Sequence, residues 1–190
     1  MHQSIIECSV LKTDSKGFSF PELLITIAVT AIVLGLAVPY FKNSLMNDRM
    51  LAQRDMLMNA LDYARNTALN QNINVQACPF GAVNSTVCGT NWQNGWAIIS
   101  RPAAGNPVLL QTYQTGPNDP VLSIVPIGGV SAAVITFDPV GIATTQANFK
   151  LCDSRGAAYA QSIQVLSSGL VQTASTMGVA VWNGGALTCP

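Results

Sequence analysis

Glu22 is the one charged side chain between Phe18 and Phe41. Behind it, the 19 residues Leu23–Phe41, LLITIAVTAIVLGLAVPYF, carry no charge at all. As a helix rising about 1.5 Å per residue, this run covers about 28 Å, close to the ~30 Å of a bilayer core. A carboxylate at the head of a spanning helix is costly unless something pairs with it. Its place in a first helical turn helps, because the unpaired N–H groups there favour negative charge. A stronger partner is the α-amine of a chain that begins at Phe18. Carboxylate-to-ammonium pairing in an apolar setting is thus the chemistry this stretch offers.

Catalytic chemistry finds little to work with. The only histidine is His2, so neither a Ser-His-Asp nor a Cys-His arrangement can be built from the rest of the chain. No G-x-S-x-G elbow, P-loop or dinucleotide glycine pattern occurs, and we assign no catalytic residue and no cofactor. Asp119, Asp138 and Asp153 are scattered and fit turns better than general acids. Calcium held by such carboxylates is a weaker reading. Trp92, Trp96, Trp182, Tyr113 and Tyr159 serve core packing more readily than a ligand surface. With 9 basic and 9 acidic residues the chain has no net field to steer nucleic acid or anionic lipid.

Four cysteines, Cys78, Cys88, Cys152 and Cys189, follow the apolar run, and Cys8 precedes it. An even set beyond a membrane segment points to two disulfides in an oxidising compartment, with three possible connectivities. Zinc is disfavoured, since no C-x-x-C spacing is present; no metal is assigned. Cys78 and Cys88 flank a Pro/Gly/Asn-containing loop, and Cys189 sits beside a terminus that would otherwise fray. We therefore expect Cys78–Cys88 and Cys152–Cys189.

Lys16-Gly17-Phe18-Ser19-Phe20-Pro21-Glu22-Leu23-Leu24 resembles the prepilin signature of type IV pilins and type II secretion pseudopilins. The resemblance implies cleavage between Gly17 and Phe18 by a prepilin peptidase, N-methylation of Phe18, and pairing of Glu22 with the N-terminus of a neighbouring subunit. Pro21 replaces the usual aliphatic residue, which a first helical turn tolerates because the missing N–H would be unpaired there. An ordinary secretory signal fits poorly, since here the Gly precedes the apolar core. Loss of residues 1–17 removes Lys12, Lys16, Glu7 and Asp14, leaving 9 − 2 = 7 charges of each sign.

These residues need a long helix to position them. Beyond the membrane, Met46, Met50, Leu57, Leu61, Ala64 and Ala68 recur at helical spacing with charged residues between them. The pattern predicts a helix from Phe18 to about Asn70, roughly 80 Å long. Pro39 removes a backbone bond to the carbonyl of Gly35, so a kink is expected at Gly35–Pro39. After Asn72 short β-like runs follow: Ile73–Cys78, Trp96–Ser100, Val108–Tyr113, Val121–Ile127, Ala132–Asp138, Asn148–Cys152 and Ala160–Leu166. A last hairpin pairs Ile163–Leu166 with Leu170–Thr173 across Ser167-Ser168-Gly169. The fold class expected is α+β: a long N-terminal helix, transmembrane and then amphipathic, packed against a C-terminal antiparallel β-sheet domain.

Ala64–Ala68, Val75–Cys78, Asn94-Gly95-Trp96, Ile135–Gly141 and Phe149–Cys152 together resemble the GspH/FimT group of minor pilins and pseudopilins. The domain expectation is 1–17 leader, 18–41 transmembrane or filament-core helix, 42–72 amphipathic helix, and 73–190 periplasmic β-rich domain. The implied role is a structural subunit of a type II secretion pseudopilus or type IV pilus, anchored once in the bacterial inner membrane. Other pilins and the prepilin peptidase are the implied partners. The alternative is a minor pilin that captures DNA. Some FimT-type members are thought to do this through a Gly-Arg-x-Arg segment, but the matching place reads Gly169-Leu170-Val171-Gln172. With Arg101, Lys150 and Arg155 the only basic residues beyond the helix, DNA is the disfavoured partner.

Overall fold

The computed structural model describes residues 17–131 and 134–189. Expectations about the leader before Gly17, and about Ala132 and Ala133, lie outside the described residues. The chain divides into two compact units, Met1–Lys42 and Asn43–Pro190. One helix, α1 (Phe20–Gln71), contributes to both.

In the first unit α1 begins just after Ser19 and carries the apolar run. It continues as helix through Gly35 and Pro39. An 18-residue window there has a mean hydropathy of 2.3 with none of it buried, so the segment is long and apolar enough to cross a membrane. The threonine hydroxyls within the run are already satisfied: Thr26 Oγ1 donates to Leu23 O and Thr30 Oγ1 to Thr26 O. An apolar surround therefore meets no bare hydroxyl from these two side chains.

In the second unit the rest of α1 is amphipathic. Met50, Leu57, Leu61, Ala64 and Ala68 are buried, as is Ala60, while Met46 is half-buried and Asp48, Asp55 and Asp62 face out. The helix ends where Asn72 turns into the left-handed region at φ 54°, and Ile73 N donates back to Ala68 O.

Eight strands follow: β1 (Asn74–Pro79), β2 (Gly95–Arg101), β3 (Val108–Gln114), β4 (Val121–Val125), β5 (Ile135–Phe137), β6 (Ala147–Cys152), β7 (Gln161–Val165) and β8 (Val171–Thr173). They form two four-stranded antiparallel sheets, ordered β3-β2-β1-β5 and β4-β6-β7-β8. The main core lies between the α1 stripe and one face of each sheet. It joins Val75, Ala77, Trp96, Ile98, Ile135 and Phe137 to Leu122, Phe149, Leu151, Ile163 and Val165. β2 is buried on both faces, because Ala97 and Ile99 pack under Cys78, Cys88 and Leu109. That double burial explains its unbroken Trp96–Ile99 apolar run where a half-exposed strand would alternate. The outer face of the second sheet is closed by the C-terminal tail. There Ala180 and Leu187 cover Cys152 and Ala160, and Ser162 Oγ bonds to both Val179 O and Val181 N.

Several strand expectations shorten, among them Ala160–Leu166 to Gln161–Val165 and Leu170–Thr173 to Val171–Thr173. The Val121–Ile127 run stops at Val125 because Pro126 has no N–H for a ladder; Ile127 then bridges Val130 across Gly128-Gly129. Among the described residues the expected Ala132–Asp138 strand is paired over Ile135–Phe137, after which the Asp138 side chain holds a turn.

Candidate assembly segment

The head of α1 shows how Glu22 is presented. Gly17, Phe18 and Ser19 precede the helix and are exposed. Among the described residues, a Cβ added at Gly17 would meet nothing within 4 Å. Ser19 caps the helix: its carbonyl accepts from Leu23 N at 3.1 Å, and its own N–H donates to Glu22 Oε2 at 3.4 Å. This is the reciprocal half of a capping box, in which an acidic side chain reaches back to the cap amide. The S-x-x-E spacing Ser19-Phe20-Pro21-Glu22 carries that signal in the sequence, and our reading of the sequence missed it. Glu22 is exposed, with Phe18 (81%) and Phe20 (74%) open on either side.

The second unit holds its charges differently. Arg155 donates to both oxygens of Asp153, to Asn47 Oδ1 and to Asn43 O, and its guanidinium lies 4.3 Å over the Tyr159 ring. The Asp153 and Arg155 side chains are each 10% exposed, so this clasp ties the β6–β7 connection to α1 away from water. Arg65 acts similarly at the other end of that helical stretch, donating to Gly141 O and Ser168 O. Gly169 is required beside it. Its φ is +78°, and a Cβ there would collide with Gly141 O and crowd Arg65 Nε.

The three aspartates all serve turns. Asp119 accepts from Gly116 N and the Tyr113 hydroxyl, Asp138 from Val140 N and Ile142 N, and Asp153 from Arg155 N. Burial, and next the Asp119 hydrogen bond, push the Tyr113 phenol above its ordinary range. Trp92 meets Phe149 edge-on and Trp96 stacks on Tyr113, placing these aromatics in the core, whereas Tyr159 backs the Arg155 clasp. Among the described residues no three His, Cys, Asp or Glu side chains gather as a metal site. Disulfides join Cys78 to Cys88 and Cys152 to Cys189. The first encloses the loop that covers Ala97 and Ile99, and the second fastens the tail to the end of β6.

The three basic residues of the β region are engaged within the domain. Arg101 donates to Gln76 Oε1 and Thr86 O, Lys150 to Thr188 O, and Arg155 to the clasp. At the β7–β8 hairpin, Leu170 is exposed and the Gln172 amide bonds to Gln164.

An apolar helix with a capped acidic head, continuing as the spine of an antiparallel sheet domain, defines a minor pilin or pseudopilin of the type IV and type II systems. Residues 54–169 match the type II transport protein GspH family, and residues 12–38 match the prokaryotic N-terminal methylation motif. The chain belongs to the GspH family, whose members are structural subunits. Two crystal forms of the type IV minor pilin FimU of Pseudomonas aeruginosa are similar to it in structure. One is 18% identical with a TM-score of 0.48, covering 65% of this chain and 91% of that one. The other is 20% identical with a TM-score of 0.49, covering 67% and 89%. No curated relative matches the chain.

Proposed function

We propose that this chain is a minor subunit of a type II secretion pseudopilus or type IV pilus, assembled through α1. The prepilin peptidase cuts between Gly17 and Phe18, and Phe18 is methylated. Residues 18–41 anchor the subunit once in the inner membrane and later enter the filament core. Residues 42–72 carry the domain 73–190 on the periplasmic side, and Gly35 and Pro39 supply a kink between membrane and domain. The observation that carries the reading is Glu22: an exposed carboxylate at the head of an unburied apolar helix, held by one long bond to Ser19 N–H. An incoming α-ammonium offers it a far stronger partner. DNA capture has less support, because Arg101, Lys150 and Arg155 each donate hydrogen bonds to partners inside the domain.

Within a filament core each charge of the pair is costly alone, and removing one typically costs about 3–5 kcal/mol. In the lone membrane-anchored chain the same removal relieves a cost. Glu22→Ala and Glu22→Gln should therefore leave membrane level and leader cleavage normal while abolishing site-specific cross-linking near residue 22 to other pilin-like subunits. Full incorporation of both variants would overturn the assembly role.

A further inference from the structure

Three backbone segments of the first sheet converge on a cleft of about 440 Å³, a size that small-molecule sites share. They are Phe80 just after β1, Gln93–Asn94 just before β2, and the end of β3 from Gln114 to Pro117. Their main chains are tied to one another: Phe80 N donates to Gly95 O, Thr115 N to Asn94 O, and Gly116 N to Asp119 Oδ2. Gly95 lets them meet, since its φ is +111° and a Cβ there would collide with Tyr113 O. The fold thus fixes the walls, whereas their side chains are unspent. Among the described residues the Asn94 and Gln114 amides have no hydrogen-bond partner, and Gln93 has one long bond, accepting from Asn91 Nδ2 at 3.5 Å. The Thr115 hydroxyl is shut off from solvent and also lacks a partner among the described residues. Nearby polar groups differ: Asp119 accepts from the Tyr113 hydroxyl, and Arg101 donates to Gln76 and Thr86. An exposed amide alone is ordinary surface. Three in the lining of one concavity are donors and acceptors held ready.

We propose that this cleft binds a neutral saccharide. Among the described residues none that lines it is charged, so a phosphate or carboxylate ligand finds no counter-ion there. Carboxamides donate and accept at once, as sugar hydroxyls do. Phe80 and Pro117 supply apolar wall for the C–H face of a pyranose ring. A peptide is the poorer occupant, because these two are the only large apolar residues in the lining and a peptide is gripped through side-chain anchors. No residue of α1 lines the cleft, so the inference goes beyond the assembly reading and stands apart from it.

The test titrates the full, isotope-labelled chain, in a detergent without a sugar head group, with maltose and with N,N′-diacetylchitobiose, and follows side-chain NH2 signals by NMR. The Asn94 and Gln114 signals should shift saturably with at least one of the two sugars, with a Kd on the order of 1 mM. Asn94→Ala with Gln114→Ala should weaken binding about tenfold. Gln111→Ala, which removes an exposed amide of β3 outside the lining, should leave it unchanged. All three side chains are exposed, and formation of the Cys78–Cys88 disulfide confirms that each variant has folded. Glycerol at the same concentration controls for a general polyol effect. No saturable shift with either sugar at up to about 50 mM would overturn the site. So would equal shifts with glycerol, or binding that the double variant leaves intact. A saturable shift with a neutral dipeptide amide and none with the sugars would overturn the ligand class. None of these results touches the Glu22 cross-link, so this inference and the assembly reading fail separately.

Discussion

At the scale of single residues the domain depends on side chains whose partners lie far away in sequence. Arg155 has no periodicity or motif to announce it, yet it joins Asp153, Asn43, Asn47 and Tyr159. Arg155→Ala strands Asp153 in a pocket where its side chain is 10% exposed, and should destabilise the domain by about 3–5 kcal/mol in urea denaturation of the detergent-solubilised chain. Arg155→Lys should recover only part, since an ammonium cannot reproduce the planar fork or the stack on Tyr159. Asp62 works in the opposite sense. Partial burial raises its carboxyl above the ordinary 3.8, and Arg65 offsets some of that rise. The folded state then holds the proton more tightly than the unfolded state, so stability is lost as pH climbs through the folded value. Asp62→Asn should accordingly be more stable than the parent at neutral pH, by a small margin because the side chain is exposed. The two should converge when urea midpoints are compared at about pH 3.

At the scale of elements, legibility followed the range of the forces involved. The stripe Met50–Leu57–Leu61–Ala64–Ala68 is a one-helix periodicity, and the structure buries all five. The β7–β8 hairpin was equally plain, because Gly169 supplies the positive φ its turn requires. Strand ends were less legible where prolines and turn-forming aspartates cut a β-like run short, as after Val125 and Phe137. The division into two sheets was not legible at all, since the partner of β4 is β6, across residues that carry no pairing signal. Gln53 shows what a polarity pattern hides. Its own side chain is polar and Arg54 and Asp55 follow it, yet it is 1% exposed, and neither its amide oxygen nor its nitrogen has a partner among the described residues. A buried amide without partners forfeits its desolvation energy, so Gln53→Met, similar in size and apolar, should stabilise the domain by about 1–3 kcal/mol. A urea midpoint at or below that of the parent would show that the amide is satisfied in solution.

At the scale of the whole molecule, the two disulfides bind the fold to a compartment. They close separate loops, with sequence separations of 10 and 37, so their effects on the unfolded chain add without overlap. In the chain-entropy picture the shorter loop contributes about 3 kcal/mol and the longer about 4. Together, at about 7 kcal/mol, they are as large as the ~5–15 kcal/mol total stability of a typical domain at its lower end. Each bond also fastens an element that closes the outer face of a sheet: the Cys78–Cys88 loop over Ala97 and Ile99, and the tail over Cys152 and Ala160. The periplasmic placement proposed for the domain therefore has a measurable consequence. In cells that lack disulfide-forming activity, the full chain should still insert and lose its proposed leader, because both steps belong to the first unit. Its steady-state level should then fall as the reduced domain is degraded. Replacing Cys152 and Cys189 together by Ser should lower the level more than replacing Cys78 and Cys88, in the order of the loop lengths. An undiminished level in such cells, with both pairs shown to be reduced, would mean that core packing on the α1 stripe suffices without the bonds, and the argument for an oxidising compartment would fall.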